Sequence, residues 1–95
     1  MPISKKNISK NKTQLLKIIG RIVKKHRLTE KKGILLHAYE FDIPSSSLNL
    51  IERGIRDSQI TTLWKIVNSF GMTFGEFVSE VEKQLPQDFT LIDDK

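Results

Sequence analysis

The sequence predicts an all-α fold of five short helices, and three observations indicate it. Apolar residues recur three or four positions apart in successive stretches, which is typical of helices that bury one face. Polar or glycine-containing links separate these stretches, and none of them has a convincing strand pattern. A chain of 95 residues supports a single small core. We therefore predict one helical domain over residues 12–85, with a flexible basic arm over 1–11 and an acidic, apolar tail over 86–95.

The first three helices are predicted from apolar spacing and local end signals. Helix one runs from about Thr13 to Arg27, with lysines between its apolar positions. A charged link leads to a short apolar helix from Ile34 to Phe41. Helix three spans about Ser45 to Arg53, and Gly54 supplies the left-handed residue that ends it.

The last two helices have clearer boundaries. Apolar residues trace helix four from Ile60 to Phe70, and Gly71 ends it. The sequence from Thr73 to Glu76 has the pattern of a capping box, in which the threonine and the glutamate satisfy each other's backbone N–H groups. Helix five follows from Phe74 and stops at Pro86.

Charge is distributed unevenly along the chain. Residues 1–33 contain eleven Lys and Arg against Glu30 alone, a net charge of +10. Residues 34–95 contain five basic and ten acidic side chains, a net charge of −5. This polarity suits a protein that meets a polyanion with its basic front. The alternative is that the lysines only keep a helix face solvated.

Several functional classes are disfavoured. The chain has no cysteine, and His26 and His37 have no other strong metal donors at ligand spacing, so we expect no metal or other cofactor. No nucleophile, base and orienting group form a credible set, so we expect no enzyme. We expect His26 near the end of helix one and His37 in or beside the core. Without a leader pattern or a long apolar run, a cytoplasmic location is expected.

The segment from Ile43 to Gly54 has the features of a helix that enters a DNA groove. A proline precedes three serines, so small side chains surround the free N–H groups of the first turn. Leu48 and Ile51 supply an inner side, while polar residues occupy other faces. The candidates for contacts to bases are Ser45, Ser46, Ser47, Asn49, Leu50 and Arg53. The alternative is that the serines only cap the helix.

An ordered set of residues from about Ile19 to Val78, roughly two thirds of the chain, carries a family resemblance. The set comprises Ile19-Gly20, Arg27, Ala38, Leu48 to Gly54, Leu63 to Phe70, Gly71-Met72-Thr73 and Phe77. In this order it resembles the helix-turn-helix DNA-binding domain of the lambdoid phage repressor, Cro and Xre family. The resemblance implies a lambda-repressor-like five-helix fold and a dimeric transcriptional regulator, usually a repressor, that binds a palindromic operator.

The resemblance also implies roles for individual residues. In the family, an arginine matching Arg27 pairs with a glutamate matching Glu52 and clamps helix one to the end of the recognition helix. Such a pair makes Glu52 structural. The positions where phosphate contacts are expected are Lys24, Lys25, Lys31, Lys32 and Arg56.

Helix two departs from the family pattern. Family members commonly begin this helix with Ser-Gln, whose glutamine binds a phosphate, and no such pair occurs here. Ile34, Leu35 and Leu36 occupy this region instead. This apolar segment supports an alternative function, a protein-interaction module or antitoxin that uses the helix-turn-helix scaffold to bind a partner protein. Exposure of these side chains favours the partner hypothesis, and their burial favours DNA binding.

Helix five and the tail offer more apolar surface than the domain needs. We predict that this surface forms a homodimer interface, with candidates Phe77, Val81, Leu85, Phe89 and Leu91. Phe89 and Leu91 also alternate as in a short strand. The alternative is that these residues only cover the core of the monomer.

Overall fold

A long first helix forms one side of the molecule. The computed structural model describes residues 2–92, and the side chains from residue 10 onward. Helix α1 spans Pro2–Thr29, about 42 Å at 1.5 Å per residue. It therefore starts well before the Thr13 that apolar spacing predicts, and it includes residues assigned to the arm. The flexibility predicted for residues 1–11 stays a prediction.

Four shorter helices complete an all-helical architecture. They are α2 (Ile34–Glu40), α3 (Ser45–Glu52), α4 (Ile60–Asn68) and α5 (Phe74–Lys83). All-α is thus confirmed as the fold class. Residues 2–92 contain no strand, so the alternation of Phe89 and Leu91 does not form one. The backbone turns there instead, since Phe89 N–H donates to the carbonyl oxygen of Pro86 at 3.1 Å.

The core lies where the five helices meet. Its fully buried members come from every helix and from the α2–α3 turn: Ile18, Ile22, Val23, Ala38, Ile43, Leu48, Ile51, Ile66, Val67, Phe77 and Val81. Burial of this apolar surface is the main stabilising term, at about 25 cal/mol per Å². In the described part of the chain, no helix has the length and apolar character needed to cross a membrane.

Local sequence signals end the helices where expected. Gly54 and Gly71 adopt φ values of 75° and 76°, the left-handed conformation in which a glycine carries no Cβ penalty. The capping box before α5 is confirmed. The Thr73 N–H donates to Glu76 Oε1 at 2.9 Å, and the Glu76 N–H donates to Thr73 Oγ1 at 3.1 Å. These contacts fix the directions in which the chain enters and leaves each helix.

Candidate nucleic-acid interface

The start of α3 has no cap from any side chain that the structure describes. Pro44 occupies the N-cap position, so Ser45, Ser46 and Ser47 form the first helical turn. Among the residues that the structure describes, no side chain accepts a hydrogen bond from the N–H groups of this turn. The alternative that the serines serve as caps is therefore wrong, because Pro44 stands at the N-cap, the position from which a side chain usually caps a helix. The Ser46 side chain is exposed, and those of Ser45 and Ser47 are half-buried.

One side of α3 is anchored and the other is open to solvent. Leu48 and Ile51 are buried, as their spacing predicts. Ser46, Asn49 and Arg53 are exposed and project from the opposite side, and we call these three residues the α3 outer face. Of the other candidates for base contacts, Ser45, Ser47 and Leu50 flank this face and are half-buried. The structure thus brings hydroxyl, amide and guanidinium groups onto one strip of helix surface.

Two glycines let α1 and α3 pack with their backbones almost in contact. A Cβ on Gly20 would lie 2.4 Å from the carbonyl oxygen of Ile51 and 2.7 Å from that of Glu52. A Cβ on Gly54 would lie 2.9 Å from the Cα of Lys17. Real Cβ atoms do not approach backbone atoms this closely, so only glycine fits at either place. The end of α3 is consequently held in a fixed position on α1.

A buried ion pair anchors the same end of α3. Arg27 Nε donates to Glu52 Oε2 at 2.6 Å, and Arg27 Nη2 donates to Glu52 Oε1 at 2.8 Å. Arg27 Nη1 donates to the carbonyl oxygen of Lys32 at 2.7 Å, which ties down the link before α2. Hydrogen bonding to Glu52 raises the pKa of Arg27 above its ordinary value, so the charge persists despite burial. One arginine thus joins three segments: α1, α3 and the connection into α2.

His37 is a core residue. Its Nε2 lies 2.8 Å from Ser69 Oγ, and that hydroxyl donates its one proton to the carbonyl oxygen of Ile66 at 2.5 Å. Nε2 must therefore donate, which leaves Nδ1 buried and without a hydrogen-bond partner among the described residues. Burial, and to a smaller degree the charge of Lys32, lowers the pKa of His37. The ring stacks on Phe70, with 5.1 Å between centroids.

The second histidine belongs to a polar cluster between α1 and α5. His26 lies in the last turn of α1, as expected, and its Nε2 is 2.9 Å from Glu80 Oε1. Lys25 also pairs with Glu80. The hydrogen bond from Lys25, followed by that from His26, lowers the pKa of Glu80. No cluster in the described part of the chain has the three donors that a metal ion requires.

The predicted phosphate contacts divide into two groups. Lys25 is bound to Glu80, and Lys32 is bound to Glu40, so each already has a counter-charge within the protein. Lys24, Lys31 and Arg56 are exposed and have no ion pair with any described residue. A lysine with a carboxylate partner must lose it before it neutralises a phosphate. The structure therefore favours Lys24, Lys31 and Arg56 as contacts over Lys25 and Lys32.

An apolar surface on α2 was only partly foreseen. Leu35 is 75% exposed and Leu36 is 50% exposed, whereas Ile34 packs against the core. Tyr39, one turn further along, is 85% exposed and extends the same surface. We call Leu35, Leu36 and Tyr39 the α2 apolar face. By the criterion set from the sequence, this exposure favours a protein partner. Sequence analysis missed Tyr39, although its spacing from Leu35 and Leu36 would have identified it.

The residues predicted to form a dimer interface are mostly used inside the monomer. Phe77 is 1% exposed and Val81 is 6% exposed, so assigning them to an interface is wrong. They pack on the other helices because α5 turns its apolar side inward. Leu85 also packs against the core, Phe89 is half-buried, and Leu91 is exposed. Of the five residues predicted to form the interface, Leu91 is therefore the one that is exposed in the monomer.

The position of α3 depends on its close backbone contact with α1 and on the buried ion pair at its end. In comparisons with family models, curated proteins and solved structures, nothing matches this chain.

Proposed function

We propose that this protein is a DNA-binding transcriptional regulator in which α2 and α3 act as a helix-turn-helix. The observation that carries the proposal is the α3 outer face, whose three polar side chains form no hydrogen bond with any described residue. An α-helix with its side chains is about 10–12 Å across, which fits a major groove about 12 Å wide. Its rigid attachment to α1 supports the same function, because a helix that contacts bases must be held in register.

The side chains of α3 suit specific hydrogen bonds with bases. Asn49 has the amide that pairs with the N6 and N7 atoms of adenine, and Arg53 has the donors that pair with O6 and N7 of guanine. Serine hydroxyls donate or accept, so Ser45 and Ser46 contribute contacts of low selectivity. The basic residues around α3 supply attraction to phosphates that does not depend on sequence. Specificity in this proposal therefore rests mainly on Asn49 and Arg53.

The proposal extends to a homodimer on a palindromic operator, with repression in the cytoplasm as the outcome. Two copies of α3 about 34 Å apart would meet successive major grooves on one side of the duplex. Leu91 and its neighbour Ile92 are the exposed apolar residues of the described tail. Replacing both with aspartate should halve the mass in solution. A monomeric mass for the unmodified protein would remove the dimer from the proposal.

The decisive experiment measures binding to random-sequence duplex DNA at about 50 and 200 mM salt, followed by selection of preferred sequences from the random pool. We expect binding at low salt, a steep loss at high salt and enrichment of a sequence motif. Absence of binding at low salt would refute DNA binding. Binding without any enriched motif would refute a sequence-specific regulator and leave a general DNA-binding protein.

The α2 apolar face favours a second candidate function, a module that binds a partner protein. Exposed apolar side chains in one patch are typical of protein-binding surfaces. A variant with serine at Leu35, Leu36 and Tyr39 separates the two functions. Under this alternative, the unmodified chain captures a partner protein from cell extract, and the variant fails to capture it. Under the leading proposal, it binds duplex DNA with unchanged sequence preference.

A further inference from the structure

Four exposed cations of α1 have no counter-charge among the described residues, in contrast to four lysines that are ion-paired. Lys12, Lys25, Lys32 and Lys65 each lie within ion-pair distance of an acidic side chain. By contrast, Lys10, Lys17, Arg21 and Lys24 are exposed and form no ion pair with any described residue. We call these four residues the α1 basic face. Three of them, Lys10, Lys17 and Arg21, are new to the proposed interface.

The four residues form one continuous stripe along the helix. At 3.6 residues per turn, they lie roughly 40–100° around α1 from Gly20, the point of contact with α3. From Lys10 to Lys24 the stripe is about 21 Å long, since each residue adds 1.5 Å. A groove of about 510 Å³ runs along part of it. The side chains that line this groove include Lys10, Gln14, Lys17, Arg21 and, from the end of α5, Gln84.

The middle of the stripe lies beside the end of the proposed recognition helix. The backbone of Lys17 lies against Gly54, the residue that ends α3, at a distance that leaves no room for a Cβ. A duplex on the α3 outer face would therefore pass close to the middle of the α1 basic face. About 21 Å corresponds to roughly six base pairs at 3.4 Å each, so the stripe matches a run of phosphates and not a single small anion.

We propose that the α1 basic face binds the phosphate backbone of duplex DNA beside the site that α3 recognises. This inference rests on the proposed function and extends it from one helix to a second, sequence-independent contact. Lysine and arginine side chains with no internal partner neutralise phosphates and release condensed counterions. The position of the stripe beside the end of α3, together with its length, favours duplex DNA over an acidic protein segment or an anionic membrane.

The test compares the salt dependence of DNA binding in two variants with equal net charge. The test variant carries Lys10→Gln, Lys17→Gln and Arg21→Gln. The control variant carries Lys12→Gln, Lys65→Gln and Lys83→Gln, which lie outside the stripe and remove the same charge. Glutamine keeps the aliphatic stem that Lys17 packs near Gly54, and thermal unfolding of both variants checks that the fold is retained.

Three lost phosphate contacts should reduce the slope of log K against log salt by about 2.7, at 0.9 per contact. Between 50 and 200 mM salt, the unmodified protein should therefore lose about 40-fold more affinity than the test variant. The ratio of affinities for selected and random duplexes should stay unchanged, because these residues contact no bases. The control variant should change the slope by less than about 0.9, the contribution of one phosphate contact.

An unchanged slope in the test variant, with DNA binding intact in the unmodified protein, would overturn this inference and leave the proposed function standing. If the unmodified protein binds no duplex DNA at 50 mM salt, the proposed function itself fails. Vesicles containing phosphatidylserine test the other source of phosphates. Vesicle binding that needs Lys10, Lys17 and Arg21, with DNA binding independent of them, would assign the face to a membrane surface and overturn the inference.

Discussion

Replacing Glu52 with glutamine should destabilise the fold strongly, because it leaves the Arg27 guanidinium buried without its counter-charge. Both side chains are almost inaccessible to solvent, and two hydrogen bonds of 2.6 and 2.8 Å join them. Removing one partner of such a pair typically costs 3–5 kcal/mol, and glutamine retains one acceptor, so we expect a loss of about 3 kcal/mol. In a domain of this size, that corresponds to a decrease in Tm of about 12–24 °C.

The assay is urea unfolding at pH 7, monitored by circular dichroism, on four proteins. They are the unmodified chain, Glu52→Gln, Arg27→Met and the double variant Arg27→Met/Glu52→Leu. The double variant should recover most of the lost stability, because apolar side chains of similar volume carry no desolvation penalty. Lys12→Gln is the control. This substitution removes the exposed ion pair between Lys12 and Asp57, in which Nζ and Oδ2 are 3.4 Å apart. It should lower the free energy of unfolding by less than about 1 kcal/mol.

A loss below about 1 kcal/mol for Glu52→Gln would refute this reasoning, since a pair that matters so little is either well hydrated or replaceable by solvent. A double variant no more stable than the single variants would also count against it. That outcome would mean that the site needs the specific hydrogen bonds, including the one from Arg27 to the carbonyl oxygen of Lys32, and not only charge neutrality.

Three further predictions follow from the same structure. Gly20→Ala should cost about 1–3 kcal/mol in the free energy of unfolding, because its Cβ would meet backbone oxygens. The matched control is Gly33→Ala, because the space around Gly33 is open. Equal losses in the two variants would contradict the close packing of α1 on α3. The free energy of unfolding should fall as pH drops below about 6.5, because the pKa of His37 is lowered in the folded state and the unfolded chain binds the proton first. His37→Phe should flatten this dependence between pH 5 and 7, a range above the one in which Glu80 becomes protonated, and equal stability of the unmodified protein at pH 7 and pH 5 would contradict it. Asn49→Ala should relax sequence preference in a DNA selection, whereas Lys24→Ala should weaken binding to all duplexes alike; an equal loss on every sequence for Asn49→Ala would show that it contacts no base.

Most of the secondary structure could be predicted because its signals are local. The starts of α2, α3, α4 and α5 fall at the predicted residues, and Gly54 and Gly71 end their helices as expected. Each of these features depends on residues within about four positions of one another. The start of α1 was missed because its first residues have few apolar side chains to mark a periodicity.

The candidate site could be predicted only in outline. The inner and outer sides of α3 follow from helical spacing, which placed Leu48 inside and Asn49 outside. Which cations are free could not be predicted, because Lys25 finds its partner 55 positions away in Glu80. For the same reason, nothing in the sequence distinguishes the exposed Leu35 from the buried Phe77.

The sequence by itself determined the all-helical class, the order and ends of the shorter helices, and the separation of a basic front from an acidic back. Tertiary structure alone decided that Gly20 admits the backbone of α3, that Phe77 and Val81 fill the core of the monomer, and that the α1 basic face keeps its charges unpaired. The physical reason is the range of the interactions. Helix formation and capping are settled within one or two turns of chain, whereas burial and ion pairing depend on segments that meet only when the chain has folded.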